Sequence, residues 1–147
     1  LGDVYKRQEY NRRYYQEILD VVKAYKDYSI LGHLDVIKRY DLNGEIELEK
    51  IKDLIEQIFE VVIADGKGIE LNTSSRAYHL KSLMPSREIL ELYHDMGGKI
   101  ITIGSDAHNA DRVGDRVMES QKILKEIGFN GIYTFDQMKP KFHEFKF

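Results

Sequence analysis

The sequence has 147 residues, of which 42% are hydrophobic and 32% charged, and its formal net charge is -3. This length suits one globular domain, and no basic block indicates a phosphate-neutralising surface, so we expect no nucleic-acid partner, with a local basic cluster left open as an alternative. No cysteine is present, which excludes disulfides and thiolate ligands and is typical of a reducing compartment. No apolar run approaches the ~20 residues of a membrane span, and no secretory leader is visible. We therefore expect a cytoplasmic protein without a membrane partner.

The first eight residues differ from the rest of the sequence. Residues Leu1 to Gln8 open without methionine and carry no hydrophobic periodicity, as is typical of a translated adapter. We expect residues 1–8 to be a non-native leader and the chain to be a piece of a longer protein. Residues 9–147 contain no linker, repeat or low-complexity segment, which predicts one domain.

Helices and strands are predicted to alternate along residues 9–147. Apolar spacing predicts helices at Glu9–Asp27, from Leu48 to Asp65-Gly66, from the N-cap Ser86 to Gly97-Gly98, and at Asp111–Ile127. Strands are predicted at Ser29–Leu34, Gly68–Asn72, Ile100–Ile103 and Gly131–Phe135. A short helical turn is predicted at Val36–Tyr40, and the tail from Asp136 is expected to dock as a last turn or to fray. This order predicts an α/β fold of parallel (β/α) units. Four strands make about half of a barrel that needs ~250 residues.

Polar residues follow three of the predicted strands. The run Ile100–Ile103 stops at Gly104, and Asp106 and His108 come next; His33 and Asn72 end two earlier strands. The carboxyl ends of parallel strands meet at one edge of a sheet, so we expect these side chains to converge. Carboxylate oxygen and imidazole nitrogen suit a divalent ion such as zinc, manganese or iron. An Asp-x-His pair alone also fits a helix cap, and the added histidine favours a metal site.

Three motifs in order resemble the polymerase-and-histidinol-phosphatase (PHP) family, most closely its histidinol-phosphatase branch. They are Gly32-His33-Leu34-Asp35, Glu70-Leu71-Asn72-Thr73-Ser74 and Gly104-Ser105-Asp106-Ala107-His108, within a resemblance that runs from about Tyr14 to Tyr133. The resemblance implies a distorted (β/α)7 TIM-like barrel, with residues 9–147 as the carboxyl-terminal half of a PHP domain. It also implies two or three divalent ions, with His33, Asp106 and His108 among their ligands.

The remaining ligands of that family, including a His-x-His pair, lie in its amino-terminal half. None can be present here, because His33 is the first histidine of the chain. We therefore expect this chain to be inactive by itself.

For the longer parent protein, the resemblance implies a metal-dependent phosphomonoesterase. The implied reaction is the hydrolysis of L-histidinol phosphate to L-histidinol and phosphate in histidine biosynthesis, so the expected partner is a small-molecule phosphate ester. Two alternatives stay open: a PHP-family phosphoesterase with another substrate, and a non-catalytic PHP barrel module. The sequence does not predict an oligomeric state.

Five polar residues near the strand ends are candidates for supporting roles. Arg39, Arg76 and His79 are candidates for binding the phosphate or the substrate. Asn72 is expected either to contact the substrate or to hold its loop through Asx-type hydrogen bonds. Asp35 is expected to orient His33 from behind or to cap the short helix. No catalytic residue beyond the metal ligands is predicted.

Overall fold

The computed structural model describes residues 2–147, and it shows the expected mixture of helices and strands. The helices are α1 Gly2–Ala24, α2 Lys52–Ala64, α3 Arg87–Asp95 and α4 Val117–Ile127. The strands are β1 Ile30–Leu31, β2 Gly68–Asn72, β3 Ile101–Gly104, β4 Gly131–Asp136 and β5 Lys139–Glu144. Short 3-10 helices lie at Val36–Tyr40, Leu48–Lys50, Thr73–Tyr78 and Ala110–Arg112. The predicted alternation of helices and strands is confirmed as far as β4, and the predicted turn at Val36–Tyr40 is a 3-10 helix.

The first three strands form one parallel sheet in the order β1-β2-β3. Ile30 pairs with Gly68 at one side of β2, and Asn72 pairs with Gly104 at the other. The central strand alternates: Ile69 and Leu71 are fully buried, whereas Glu70 is only half-buried. Since successive side chains of a strand point to opposite faces, one face of this sheet packs on the core and the other carries Glu70.

The helices cover the apolar face of the sheet. One cluster of buried side chains joins α1, α2, α3 and α4 to β2 and β3. Tyr93 of α3 belongs to this cluster. Its ring meets Phe59 of α2 edge-on at 5.0 Å, and its hydroxyl donates to the Ile100 carbonyl oxygen at 2.8 Å. In the part of the chain described, no helix is both long and apolar enough to cross a bilayer.

Helix α1 begins at Gly2, inside the segment predicted to be a leader, and ends at Ala24 instead of Asp27. Its buried face is also rotated from the expected one, because Tyr15 and Leu19 are buried while Val21 and Tyr25 are about half exposed. Leu1 lies outside the described residues. The non-native leader at residues 1–8 stays a prediction.

The helix predicted from Asp111 begins six residues later. Ala110–Arg112 is a 3-10 helix, and Gly114 and Arg116 then take positive φ values of 74° and 60°. A left-handed residue cannot continue a right-handed α-helix. The prediction was therefore wrong at its start, although α4 ends at Ile127 as expected.

Strand β4 does not extend the parallel sheet. It pairs antiparallel with β5, and Asp136 faces Lys139 across a two-residue turn. Both turn residues, Gln137 and Met138, have positive φ values, which is the backbone of a tight type I′ hairpin turn. The expectation that the tail is a last turn or frays was wrong, because this segment is a strand.

Candidate metal and phosphate site

Two candidate metal ligands lie just beyond the carboxyl ends of strands β1 and β3. His33 and Asp106 are each two residues past a strand end, and their φ values are 27° and 50°. Such left-handed conformations cost about 1–3 kcal/mol for residues other than glycine, and histidine and aspartate are among the types that tolerate them best. Strain of this kind concentrates at functional sites, which supports the choice of these two residues.

Arg39 connects the segments that follow all three strands. Its Nη2 donates to Ser74 Oγ at 2.6 Å and lies 3.3 Å from Asp106 Oδ2. The Tyr78 ring covers the guanidinium, whose central carbon lies 3.7 Å from the ring centroid. The Arg39 side chain is 11% exposed. The structure therefore places a well-held arginine against a candidate metal-binding carboxylate.

Asp106 and His108 lie close together, whereas His33 contacts a different partner. His108 Nδ1 lies 2.9 Å from the Asp106 carbonyl oxygen and 4.0 Å from Asp106 Oδ1, and its side chain is 73% exposed. The exposed His33 donates its backbone N–H to Glu70 Oε2 at 2.8 Å. Over residues 2–147, no three histidine, aspartate or glutamate side chains are grouped to hold a metal ion. The described residues thus offer a partial donor set and do not fit a complete metal site.

The side chain of Asn72 holds its own loop. It is 1% exposed, and its Oδ1 accepts from the backbone N–H of Ser74 at 3.0 Å and from Ser74 Oγ at 2.5 Å. This is the Asx-type arrangement that the sequence left open as one of two roles. Because Ser74 also bonds Arg39, Asn72 acts on the site through the loop, and its contacts give no support to a role in binding substrate.

Asp35 serves neither of its expected roles in these contacts. Its Oδ2 accepts from Lys38 Nζ at 2.8 Å and from the Ser86 backbone N–H at 3.1 Å, and it makes no side-chain cap bond to the Val36–Tyr40 helix. Its Oδ1 has no hydrogen-bond partner in the described chain, so Asp35 makes no hydrogen bond to His33 there. Burial raises the pKa of Asp35, and the Lys38 charge opposes that rise.

A cleft of about 600 Å³ opens beside Arg39. Its walls include Arg39, Tyr78, His79 and Lys81. This volume lies within the range of small-molecule sites. Two predicted substrate-binding residues, Arg39 and His79, therefore share one cleft. Arg76 does not line it; its side chain is exposed and forms no ion pair with any residue from 2 to 147.

Sequence reasoning gave no role to three residues that organise this site. Ser74 and Tyr78 hold the guanidinium of Arg39, and Glu70 holds the backbone of His33. Glu70 could have been noticed, because it is the only charged residue in the strand Gly68–Asn72. Ser74 and Tyr78 carry no comparable signal, since their role depends on how the 3-10 helix after β2 turns.

The chain is similar in sequence to known proteins. The model of the PHP domain family matches residues 2–74. A probable histidinol-phosphatase of Thermotoga maritima is 35% identical over 121 residues, which is 82% of this chain and 50% of that protein. The histidinol-phosphatase of Lactococcus lactis is 29% identical over 136 residues, covering 90% of this chain and 50% of that protein. The resemblance predicted from the three motifs is confirmed.

Solved structures confirm the fold of a partial PHP barrel. The crystal structure of the L. lactis histidinol phosphate phosphatase, complexed with zinc, L-histidinol and phosphate, aligns with a TM-score of 0.77 and 27% identity. The alignment covers 91% of this chain and 51% of that one. A putative histidinol phosphatase of Listeria monocytogenes shares the fold, with a TM-score of 0.63 and 16% identity. The chain spans about half the length of the curated relatives it matches.

Proposed function

We propose that this chain is part of a metal-dependent phosphomonoesterase that hydrolyses L-histidinol phosphate to L-histidinol and phosphate. The observation that carries the proposal is the contact of Arg39 with Asp106, 3.3 Å from Nη2 to Oδ2. It brings a phosphate-binding side chain to a metal-binding one from separate strand ends. The relatives named histidinol-phosphatases, and the related structure that holds zinc, L-histidinol and phosphate, support the reaction.

Arg39 is the residue we expect to hold the phosphate. Its guanidinium is fixed by Ser74 and Tyr78, so it loses little freedom when it binds an anion. Its Nη2 makes the contacts to Ser74 and Asp106. A phosphate oxygen would accept charge-assisted hydrogen bonds from other N–H groups of the guanidinium. The exposed Arg76 and His79 are proposed as further contacts to the substrate.

His33, Asp106 and His108 are proposed as metal ligands that act together with ligands on the rest of the parent protein. Zinc, manganese and iron all suit this donor set. A bound divalent ion would lower the pKa of water and polarise the phosphoryl group. The part of the site in this chain keeps Asp106 beside Arg39, so a metal ion held by Asp106 and the Arg39 guanidinium would together supply positive charge to the phosphate. The lack of cysteine thiols suits a reducing cytoplasm.

The test is a substrate panel on the full-length parent protein loaded with zinc. We expect phosphate release from L-histidinol phosphate to exceed that from other phosphate monoesters, and Arg39→Ala to lower kcat/KM by about 10²–10³-fold, as for the loss of one oxyanion donor. Arg87→Ala is the matched control, because Arg87 is exposed on α3 and pairs with Glu91 and Glu126. Its kcat/KM should stay within about twofold of the wild type, since exposed pairs contribute little.

Two results would overturn the proposal. Preference for a different ester would identify another phosphoesterase of the family. No release from any ester by the zinc-loaded protein would identify a non-catalytic barrel module.

A further inference from the structure

Glu70 lies on the half-exposed face of the parallel sheet, between the ends of its neighbouring strands. Its neighbours in sequence, Ile69 and Leu71, face the core and are fully buried. The Glu70 side chain reaches along the opposite face to Gly32, just after β1, and to Gly104, the last residue of β3. A carboxylate from the central strand therefore reaches both adjacent strand ends.

The strongest contact of Glu70 is to the backbone of His33. Glu70 Oε2 accepts the His33 N–H at 2.8 Å, a charge-assisted hydrogen bond, while Asn72 Nδ2 lies farther away at 3.5 Å. His33 has a φ of 27°, a strained value that persists only when its surroundings enforce it. The bond from Glu70 supplies such a constraint at the strained residue itself.

Two glycines leave the room that this carboxylate occupies. A Cβ at position 104 would lie 2.2 Å from Glu70 Oε1, a distance at which one of the two must move. A Cβ at position 32 would lie 3.5 Å from Glu70 Oε2, an ordinary van der Waals contact. Neither glycine has a left-handed φ, so their roles differ only in the space each leaves. Gly104 is the residue whose lack of a side chain admits Glu70.

We propose that Glu70 is a positioning residue, which fixes the left-handed backbone of His33 from a slot left open by Gly104. His33 is a metal ligand only under the proposed function, and the value of its positioning for catalysis rests on that function. The contact between Glu70 and the His33 backbone does not depend on it. It therefore has a separate test, in which no metal and no substrate is needed.

The test follows the His33 amide of the 147-residue chain by ¹H–¹⁵N NMR and hydrogen exchange. We expect Glu70→Ala to move the His33 amide proton upfield and to speed its exchange by about tenfold or more, as for the loss of a hydrogen bond to a charged group. Glu70→Gln keeps an acceptor oxygen and should restore much of the slow exchange. Unchanged amides on α2 and α3 would show that the variants remain folded.

The glycine variants test whether the position of the Glu70 carboxylate depends on the space at Gly104 or on the loop as a whole. Gly104→Ala should displace the Glu70 carboxylate and reproduce the Glu70→Ala shift, whereas Gly32→Ala is the matched control and should leave the His33 amide nearly unchanged. In the Glu70→Ala background, Gly104→Ala should add nothing. An unmoved His33 amide in Glu70→Ala, or an equal effect of Gly104→Ala with and without Glu70, would overturn the proposal. If the His33 amide shifts occur as expected but the parent protein releases no phosphate from L-histidinol phosphate, the proposed function is wrong and the positioning role of Glu70 still stands.

Discussion

Lys38 places its ammonium group in the interior with three hydrogen-bond partners, and Glu45 Oε1 lies 3.8 Å away. Its Nζ donates to Asp35 Oδ2 at 2.8 Å, to Ser82 Oγ at 3.0 Å and to the Leu83 carbonyl oxygen. The Lys38 side chain is 3% exposed and that of Asp35 is 2% exposed. Because Lys38 lies in the Val36–Tyr40 helix, these bonds tie that helix to the loop that leads into α3. The next residue in the helix is Arg39.

Removing the charge of Lys38 should destabilise the chain strongly. We expect Lys38→Met to lower the free energy of unfolding by about 3–5 kcal/mol, because it leaves the Asp35 carboxylate buried without its counter-charge. Urea denaturation at pH 7 measures the change. The exposed pair of Lys52 and Glu56 gives the control, and Lys52→Ala should change stability by no more than about 0.5 kcal/mol.

The penalty of Lys38→Met should shrink as the pH falls. Burial already raises the pKa of Asp35, and loss of Lys38 removes a positive charge that opposes this rise. In the variant the folded state then takes up a proton at a higher pH than the unfolded state does, so its relative stability increases as the pH falls towards the unfolded pKa of aspartate. A penalty below about 1 kcal/mol at pH 7, or one that grows in acid, would contradict this account.

At the scale of elements, the first two turns of α1 contribute little to the core. The buried residues of this helix begin at Asn11, whereas Val4 and Tyr5 are 63% and 68% exposed. The tertiary contact of this segment is made by Arg7, whose Nε lies 2.5 Å from Asp41 Oδ2 and whose Nη2 donates to the Gly44 carbonyl oxygen. This contact is partly buried, because the Arg7 and Asp41 side chains are 26% and 11% exposed.

Deletion of residues 1–8 should therefore cost about 1 kcal/mol or less, roughly the worth of a partly exposed ion pair. The measurement is urea denaturation of the shortened chain, with Arg7→Ala in the full chain as the matched variant that removes the same contact. An equal loss of unfolding free energy in the shortened chain and in Arg7→Ala would agree with a leader that adds no packing to the core. A loss above about 3 kcal/mol would mean that residues 1–8 are an integral part of the domain.

Sequence patterns predicted the positions of β2 and β4 closely, but not how β4 pairs or where α4 begins. The strand Gly68–Asn72 matches β2 at both ends, because a buried apolar run bounded by glycine and asparagine marks both limits. The hairpin was not predicted, since Gln137 and Met138 are not typical of a left-handed turn. The break before α4 was missed for a similar reason, because Arg116 adopts a positive φ that only its tertiary context imposes.

For the site, sequence reasoning found the residues at strand ends but not the links between them. The approach of Arg39 to Asp106, which are 67 positions apart, follows from the parallel order of the strands. The hydrogen bonds that the Asp35 and Asn72 side chains make could not be predicted, because each depends on which backbone N–H the fold brings next to the side chain. Their side chains bond the N–H groups of Ser86 and Ser74.

At the scale of the whole molecule, the chain by itself should not release phosphate. Within the described part of the chain, no three metal-binding side chains are grouped, and the chain spans half of the relatives it matches. We expect the 147-residue chain with added zinc to hydrolyse L-histidinol phosphate no faster than a zinc-containing blank. Turnover comparable with that of the parent protein would show that its ligands suffice, and the full-length protein in the same assay provides the positive control.

The left-handed backbone at His33 and Asp106 also limits which amino acids can replace them. Glutamate could offer a metal the same carboxylate as Asp106, but it is not among the residues that are enriched at positive φ; aspartate, asparagine and histidine are. A metal bound as proposed would have its ligands limited by the loop conformation as well as by donor chemistry. Exchange between aspartate, asparagine and histidine at positions 33 and 106 would keep the backbone conformation, whereas glutamate would strain the loop by about 1–3 kcal/mol.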